Sequence, residues 1–315
     1  MQEIYQKLYT WYDQNGRKDL PWRNTDDPYH IYLSEVMLQQ TQVKTVLERY
    51  YFPFLQKFPT LQTLAEAPLD EVLKMWEGLG YYTRAKNLHK TAQLTAPALP
   101  KSYEALLELP GIGKNTAAAI CAFAYRQKRA VMEANVRRII CRLYTLDDPD
   151  EKELIQKAHK LLDEENPFDY NQAMMDIGAM VCSVKAPKCE VCPFSQMCKA
   201  HRLGCYDFPV KKFRKVPLRK EVVVIRKYGK YLELYQRDGR FLHGLWGFKT
   251  EEKAQGKKMG DVRHQYTHFK LEVEVYVHEV SQKSLEMFLR QEMQTLALST
   301  VDKKILKLLE KREII

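Results

Sequence analysis

Apolar residues recur at intervals of three and four through the first two hundred positions. Val36, Val43, Val46 and Leu47 form one series. Leu61, Leu64, Leu69, Val72, Leu73 and Trp76 form a second, and Leu154, Ile155, Leu161 and Leu162 a third. That spacing puts side chains on one face of a helix. The opening stretch MQEIYQKLYTWYDQNGRKD places its aromatics at the same interval. Punctuation comes from Pro and Gly, at Pro59, Pro68, Gly78, Gly80, Pro97, Pro100, Pro110, Gly111, Gly113, Pro149 and Pro167. Asp70 before Glu71–Trp76 and Ser102 before Tyr103–Leu109 are residue types that cap helix starts. Residues 1–205 therefore read as a mainly helical region.

The period changes further on. Val222–Ile225 and Tyr231–Tyr235 read as strands. Lys270–Val280 alternates cleanly, with Leu271, Val273, Val275 and Val277 on one face. Helical spacing returns over Lys283–Met293 and Asp302–Lys311. Residues 221–315 thus predict a small α+β domain. Between the two regions, residues 206–220 form a basic linker; Lys211–Lys220 holds six basic residues and no acidic one. It reads equally as a plain tether or as a segment lying along a polyanion.

Composition adds partners and compartment. The 315 residues carry 50 Lys+Arg against 40 Asp+Glu, a formal charge of +10. A basic surface attracts phosphate-rich partners through counterion release, although a basic enzyme without nucleic acid fits the same balance. No apolar run approaches the roughly 20 residues that span a bilayer. The N-terminus has no secretory apolar core. These features predict a soluble protein of the cell interior.

Cysteine placement is more informative than the count of 7. Cys182, Cys189, Cys192 and Cys198 fall within 17 residues, while Cys121, Cys141 and Cys205 stand apart. In an intracellular chain such clustering points to metal rather than disulfides. Four thiolates suit tetrahedral zinc or an iron–sulfur cubane. The six–two–five spacing contains a single CxxC and wraps one loop around one large group, which favours iron–sulfur over zinc. Lys185, Lys188 and Lys199 decorate that loop.

A second motif lies upstream. Leu109-Pro110-Gly111-Ile112-Gly113 separates a helix at Tyr103–Leu109 from another at Lys114–Arg126. The glycines let backbone approach a ligand, and the following N-terminus presents N–H groups to an anion. This is a helix-hairpin-helix signature, which holds DNA phosphate without reading sequence; an ordinary helix–helix turn is the alternative.

Hairpin and cysteine loop together, about seventy residues apart, resemble the endonuclease III superfamily of base-excision DNA glycosylases. Leu20-Pro21-Trp22-Arg23, the run Ser34–Val43 (SEVMLQQTQV), Gly78-Leu79-Gly80-Tyr81-Tyr82 and Asn171–Asp176 (NQAMMD) narrow the resemblance to the adenine DNA glycosylases. The match covers the N-terminal two thirds. It is looser beyond, through His243-Gly244-Leu245-Trp246 and Arg263–Phe269. The resemblance implies a helix-hairpin-helix glycosylase fold with a [4Fe–4S] loop held by Cys182, Cys189, Cys192 and Cys198, and a Nudix-like C-terminal domain. That domain lacks a Nudix-type glutamate box after Gly244 and should bind rather than hydrolyse. The implied activity is excision of adenine mispaired with 8-oxoguanine or guanine in double-stranded DNA. The protein would act as a monomer in the cytoplasm, at the nucleoid and not at a membrane.

The resemblance also assigns residues. Glu35, in a helix between Tyr32, Val36 and Leu38, matches the general acid that protonates adenine N7. Such an acid needs an apolar pocket to keep its proton. Glu133 stands where the family carries the Asp that stabilises the oxocarbenium ion, and Ala134 where it carries Gly. Asn135 would hold Glu133 by a hydrogen bond. One extra methylene can displace a carboxylate by about 1 Å, and that can cost about a hundredfold in rate. Trp22, Arg23, Leu38 and Gln172 would line the adenine pocket. Gln40 would fill the vacated stack and Tyr82 would intercalate. Gly111, Gly113, Arg137 and Arg138 would meet phosphate, and Thr267 and His268 the opposing lesion. Asn115 stands where lyases of the superfamily carry a Schiff-base Lys, which implies a monofunctional hydrolase.

Three rivals stay open on sequence alone. They are a pyrimidine glycosylase/lyase of the same superfamily, a weakened or degenerate homologue that binds lesions without cutting, and a zinc-stabilised structural protein.

Overall fold

The computed structural model describes residues 1–209, 216–239 and 241–315. In chain order the helices are α1 (Gln2–Asn15), α2 (Pro28–Leu38), α3 (Val43–Arg49), α4 (Tyr51–Lys57), α5 (Leu61–Glu66), α6 (Leu69–Met75), α7 (Thr83–Thr95), α8 (Tyr103–Leu107), α9 (Lys114–Tyr125), α10 (Ala134–Tyr144), α11 (Glu151–Leu161), α12 (Pro167–Asp176), α13 (Lys199–Leu203) and α14 (Thr300–Lys311). They divide between two compact units. One comprises residues 1–65 and 90–213, the other residues 66–89 and 214–315. Residues 66–89, expected within the N-terminal region, thus group with the C-terminal part. Positions 210–215 of the basic linker lie outside the described residues, and from Leu218 the chain is already strand.

The first unit is helical. Ser102 caps α8 as predicted, its hydroxyl accepting from the Ala105 N–H. In residues 66–89 of the other unit, Asp70 does not cap; Pro68 precedes α6, and Asp70 lies inside the first turn, where its charge favours the dipole. The apolar face of α10 (Val136, Ile139, Ile140, Leu143) is buried as the spacing requires. It packs in a core with Leu8 and Tyr12 of α1, Leu154 of α11, and Ala173 and Ile177 of the last helical segment. A second core joins Ile31 of α2 to Ala118, Ala119, Ala122 and Phe123 of α9. The alanines let α9 approach α2 closely, and α2 carries Glu35.

In the second unit a six-stranded sheet runs in the order β6-β7-β1-β2-β8, with β5 also paired to β1. Its strands are β1 (Leu218–Tyr228), β2 (Tyr231–Glu233), β5 (Thr250–Glu251), β6 (Lys257–Gln265), β7 (Lys270–Glu279) and β8 (Met287–Phe288). Strands β3 (Tyr235–Gln236) and β4 (Trp246–Gly247) pair separately. The alternation seen in the sequence holds: Leu271, Val273, Val275 and Val277 are all buried. Central strand β1 pairs in parallel with β7 from Leu218↔Lys270 to Lys227↔Glu279. Its Val223, Val224 and Ile225 are buried in succession, as a strand covered on both faces requires. Helix α14 starts at Ser299, whose hydroxyl accepts from Asp302 N–H, and adds Ile305, Leu306 and Leu309 to this core. The helix predicted over Lys283–Met293 is absent. β8 occupies Met287–Phe288, pairing with β2, and a short 3-10 turn follows at Glu292–Gln294. Edge pairing decides over a weak helical period there.

Because α9 meets α2 through alanines, Ala119→Val should overpack that contact. The expected cost is about 1–3 kcal/mol, read as a lowered thermal unfolding midpoint.

Candidate active site

One open cavity of about 910 Å³ lies within the helical unit. It is lined by Trp22, Arg23, Glu35, Leu38, Gln40, Gly111, Gly113, Asn115, Glu133, Asn135 and Gln172. Eleven of the residues assigned from sequence therefore share one surface, although they come from five stretches of chain. Arg137 is not among them and donates to the Pro149 carbonyl at 3.3 Å.

Helix α2 positions Glu35. Asp27 caps it, accepting from Tyr29 N–H at 2.8 Å, and Pro28 opens its first turn. Tyr29, Ile31, Tyr32, Leu33, Val36 and Met37 are all buried, so the helix is held on several faces. Burial pushes the Glu35 carboxyl up to about 7, with the charge of Glu133 acting in the same direction and Arg23 opposing it. A carboxylic acid that keeps its proton near neutrality can donate it to a ligand.

Glu133 precedes α10 and serves as its cap, Oε1 accepting from Val136 N–H at 3.3 Å. Its Oε2 accepts from Asn135 Nδ2 at 3.2 Å. Asn135 is held in turn by Arg138, whose Nη2 donates to Asn135 Oδ1 at 2.9 Å and to the Gly178 carbonyl at 2.6 Å. Arg138 Nε donates to the Cys182 carbonyl at 2.8 Å. The expectation that Arg138 meets phosphate is therefore corrected, because its Nε and Nη2 are committed to acceptors inside the unit. Gly178 lies in a π-helical turn (Ile177–Val181), and a Cβ there would sit 2.4 Å from Asn135 Cβ. Only a glycine leaves Asn135 where it is. Asn171 of α12 fixes the approach to Glu133, accepting from Val131 N–H at 2.9 Å and donating to Arg129 O at 2.8 Å.

The pocket wall holds two unmet polar atoms. Arg23 Nε and Gln172 Oε1 are buried without a hydrogen-bond partner among the described residues. Buried polar groups rarely stay unpaired unless a ligand satisfies them. Trp22 beside them is buried and meets the Tyr51 ring edge-on, centroids 5.1 Å apart. Asp176, not assigned from sequence despite lying in the NQAMMD stretch, is wholly buried against Arg23 and Arg17.

At the cavity's other side, the turn between α8 and α9 carries Gly111 at φ 75°, which glycine adopts without strain. Gly113 caps α9, and a Cβ there would meet nothing within 4 Å. Thr91 braces the turn by donating to Pro110 O at 3.1 Å. Asn115 is exposed in the first turn of α9, whereas Lys114 pairs with Glu151 at 2.6 Å. Gln40 is exposed, with φ 59°.

The four clustered cysteines are free thiols and line a small cavity of about 20 Å³ with Arg142, His201 and Tyr206. Burial pushes the Cys192 thiol up to about 12 and raises Cys198 as well. Arg142 is buried and ties the loop, donating to Ser183 O at 2.6 Å, Val184 O at 2.9 Å and Tyr206 O at 2.9 Å, with Cys182 Sγ at 3.4 Å. Among the described residues no three His, Cys, Asp or Glu side chains are set to hold a single metal ion.

In the second unit one assignment is corrected. Tyr82 is 8% exposed; its hydroxyl accepts from Gly78 N–H at 3.2 Å and donates to Leu298 O at 3.4 Å. A ring so held is core, not a wedge. Tyr81 is the exposed one, on a left-handed φ of 49°. Arg84 supports it from between the Tyr81 and Trp76 rings, 5.5 and 5.4 Å from their centroids. Thr267 and His268 are exposed in the β6–β7 turn, and the Thr267 hydroxyl meets that of Tyr81.

Comparison with known proteins agrees with this geometry. Residues 33–164 match the HhH-GPD superfamily of base excision DNA repair proteins. A thermostable thymine-DNA glycosylase structure aligns with a TM-score of 0.59 at 29% identity, covering 64% of this chain and 98% of that one. The chain is 38% identical over 254 residues to the adenine DNA glycosylase of Buchnera aphidicola subsp. Baizongia pistaciae, covering 77% of this chain and 71% of the relative. It is 34% identical over 296 residues to that of Buchnera aphidicola subsp. Schizaphis graminum, covering 85% of each. The chain belongs to the adenine DNA glycosylase family.

Two outcomes follow for single-turnover adenine release. Glu35→Gln, which keeps shape and removes the proton source, should lower the rate by at least about a hundredfold. The wild-type rate should hold below pH 7 and fall about tenfold per unit above it, because the acid is lost as pH rises through its value of about 7.

Proposed function

We propose that this enzyme excises adenine mispaired with 8-oxoguanine or guanine from duplex DNA by hydrolysing the N-glycosidic bond of a flipped nucleotide. The observation that carries the reading is the shared cavity. Glu35, whose carboxyl is raised to about 7, lines it together with Glu133, Arg23 and Gln172, and Arg23 Nε and Gln172 Oε1 are buried without a partner among the described residues. A purine edge offers the complementary acceptor and amino group, and Trp22 and Leu38 supply apolar walls.

Chemistry at that site needs two charges handled at once. As the C1′–N9 bond lengthens, negative charge grows on the base and positive charge on the sugar. Glu35 delivers its proton to adenine N7, so the base leaves neutral. Glu133, held by Asn135 and by the N-terminus of α10, steadies the oxocarbenium ion. Water then adds to C1′ and its proton returns to the Glu35 carboxylate, leaving an abasic site. Asn115 has no amine to form a Schiff base, so no strand-cleaving lyase step follows.

Other residues serve the duplex. The open face at Gly113, with free N–H groups at the start of α9, suits a backbone phosphate. Gln40 fills the hole left by the flipped base, and Tyr81 rather than Tyr82 is the wedge. Thr267 and His268 meet the opposing base from a Nudix-like domain. The four thiols fit an iron–sulfur cluster: they are soft donors on one loop, and metal binding would remove protons that burial otherwise retains. Cys182, Cys189, Cys192 and Cys198 would hold a [4Fe–4S] group, whose part is to order the loop. Among the described residues no helix is long and apolar enough to cross a membrane. We place the working enzyme as a monomer on DNA in the cytoplasm.

The reading is tested on duplexes that differ only in the base opposite adenine. Release should be faster opposite 8-oxoguanine and guanine than opposite thymine. Glu133→Gln should lower the rate by about a hundredfold or more, with Glu133→Asp as the comparison for length. A wild-type protein that binds these duplexes and frees no adenine would be a lesion binder, its catalysis lost through Glu133-Ala134. Purified protein should be brown with four irons per chain; a colourless protein with one zinc refutes the cluster.

A further inference from the structure

Asp176 closes α12, is fully buried, and has both oxygens occupied by arginine. Oδ2 accepts from Arg23 Nη1 at 2.7 Å and from the Arg17 backbone N–H at 2.9 Å. Oδ1 accepts from Arg23 Nη2 at 2.9 Å and from Arg17 Nε and Nη2 at 2.8 and 2.6 Å. Arg23 therefore has both terminal nitrogens on Asp176, Nη1 also donating to the Arg17 carbonyl at 3.3 Å, while its Nε has no partner among the described residues. Gln172, with the other unmet atom, lies four residues earlier on the same helix, and so on the same face.

A buried arginine near a buried carboxyl pairs with it and ionises it unless another anion claims the cation. We propose that Asp176 is a positioning residue for acid catalysis: by holding Arg23 as its own counter-ion, it keeps that guanidinium from pairing with Glu35, which thereby retains its proton. The inference rests on the reading of Glu35 as the acid. Two charged groups face Glu35, Glu133 from the cap of α10 and Arg23 from the turn Pro21–Arg23. Arg17 and the Lys114–Glu151 pair line the same cavity. Asp176 itself faces Arg17, Arg23 and the phenol of Tyr12. Arg23 draws the Glu35 carboxyl down, against burial and the charge of Glu133.

The test is the pH profile of single-turnover adenine release. Asp176→Asn should move the basic limb down by about one pH unit or more, so that release at pH 7.5 falls at least about tenfold and recovers as pH drops. Asp176→Glu, which keeps the charge, should keep the wild-type limb. In Arg23→Gln/Asp176→Asn the freed cation is gone, and the limb should return even though the overall rate is lower. An Asp176→Asn rate reduced by one factor at every pH overturns the inference. Should Asp176→Asn not fold, Arg17→Gln leaves Asp176 to Arg23 alone; a limb at or above the wild-type position supports the inference, and one moved down overturns it. A wild-type profile with no basic limb sinks the acid reading itself, whereas a wild-type limb that Asp176→Asn leaves in place sinks only the role of Asp176.

Discussion

The surroundings of one half-buried carboxyl on the cavity wall are the constraint around which the helical unit is organised. Glu35 cannot be both protonated near neutrality and freely hydrated. The chain meets this by locking α2 into the core on several faces and closing α9 against it through alanines. The neighbouring Glu133 adds a like charge, which makes a second ionisation costly. Glu133 itself accepts from an N–H at the start of α10 and from the amide of Asn135. Two carboxyl groups on one cavity thus differ because their surroundings differ.

The order of that site depends on contacts that continue well past the cavity wall. Asn135 touches Glu133 on one side and Arg138 on the other, and Arg138 reaches the carbonyls of Gly178 and Cys182. The first cysteine of the loop is therefore bonded, through one arginine and one asparagine, to the carboxylate at the head of α10. Arg142, one helical turn on, holds Ser183 and Val184 from the same helix. The cysteine loop and the cap of α10 thus share one continuous set of hydrogen bonds that runs through backbone carbonyls. Gly178 leaves this arrangement no slack, since a methyl there would overlap Asn135.

Much of this was legible in the sequence, where periodicity or motif length was high. The α10 face, the β7 alternation, the Ser102 cap and eleven cavity residues follow from spacing and resemblance. Failures came where one residue of register or one competing contact decides. Tyr81 and Tyr82 are adjacent and chemically alike, and only the left-handed backbone at 81 says which ring leaves the core. Lys283–Met293 has a helical period, yet pairing of Met287–Phe288 with β2 claims it. Arg138 reads as a surface cation until its three acceptors are seen. Asp176 gave no signal of its own, because a buried ion pair joins residues 153 positions apart.

Residues 66–89 and 214–315 form one compact body although the whole of 90–213 intervenes. Its joints are specific: Glu77 accepts from Leu298 N–H and Lys303, and Gln236 donates to Asp70. A nascent chain emerging in order exposes Glu77 and Tyr82 long before Leu298, which bonds both, is synthesised. The same interleaving means that severing the polypeptide near residue 213 does not liberate an intact tail module. Such a cut separates Glu77 and Asp70 from Leu298, Lys303 and Gln236, the residues that bond them from the far end of the chain.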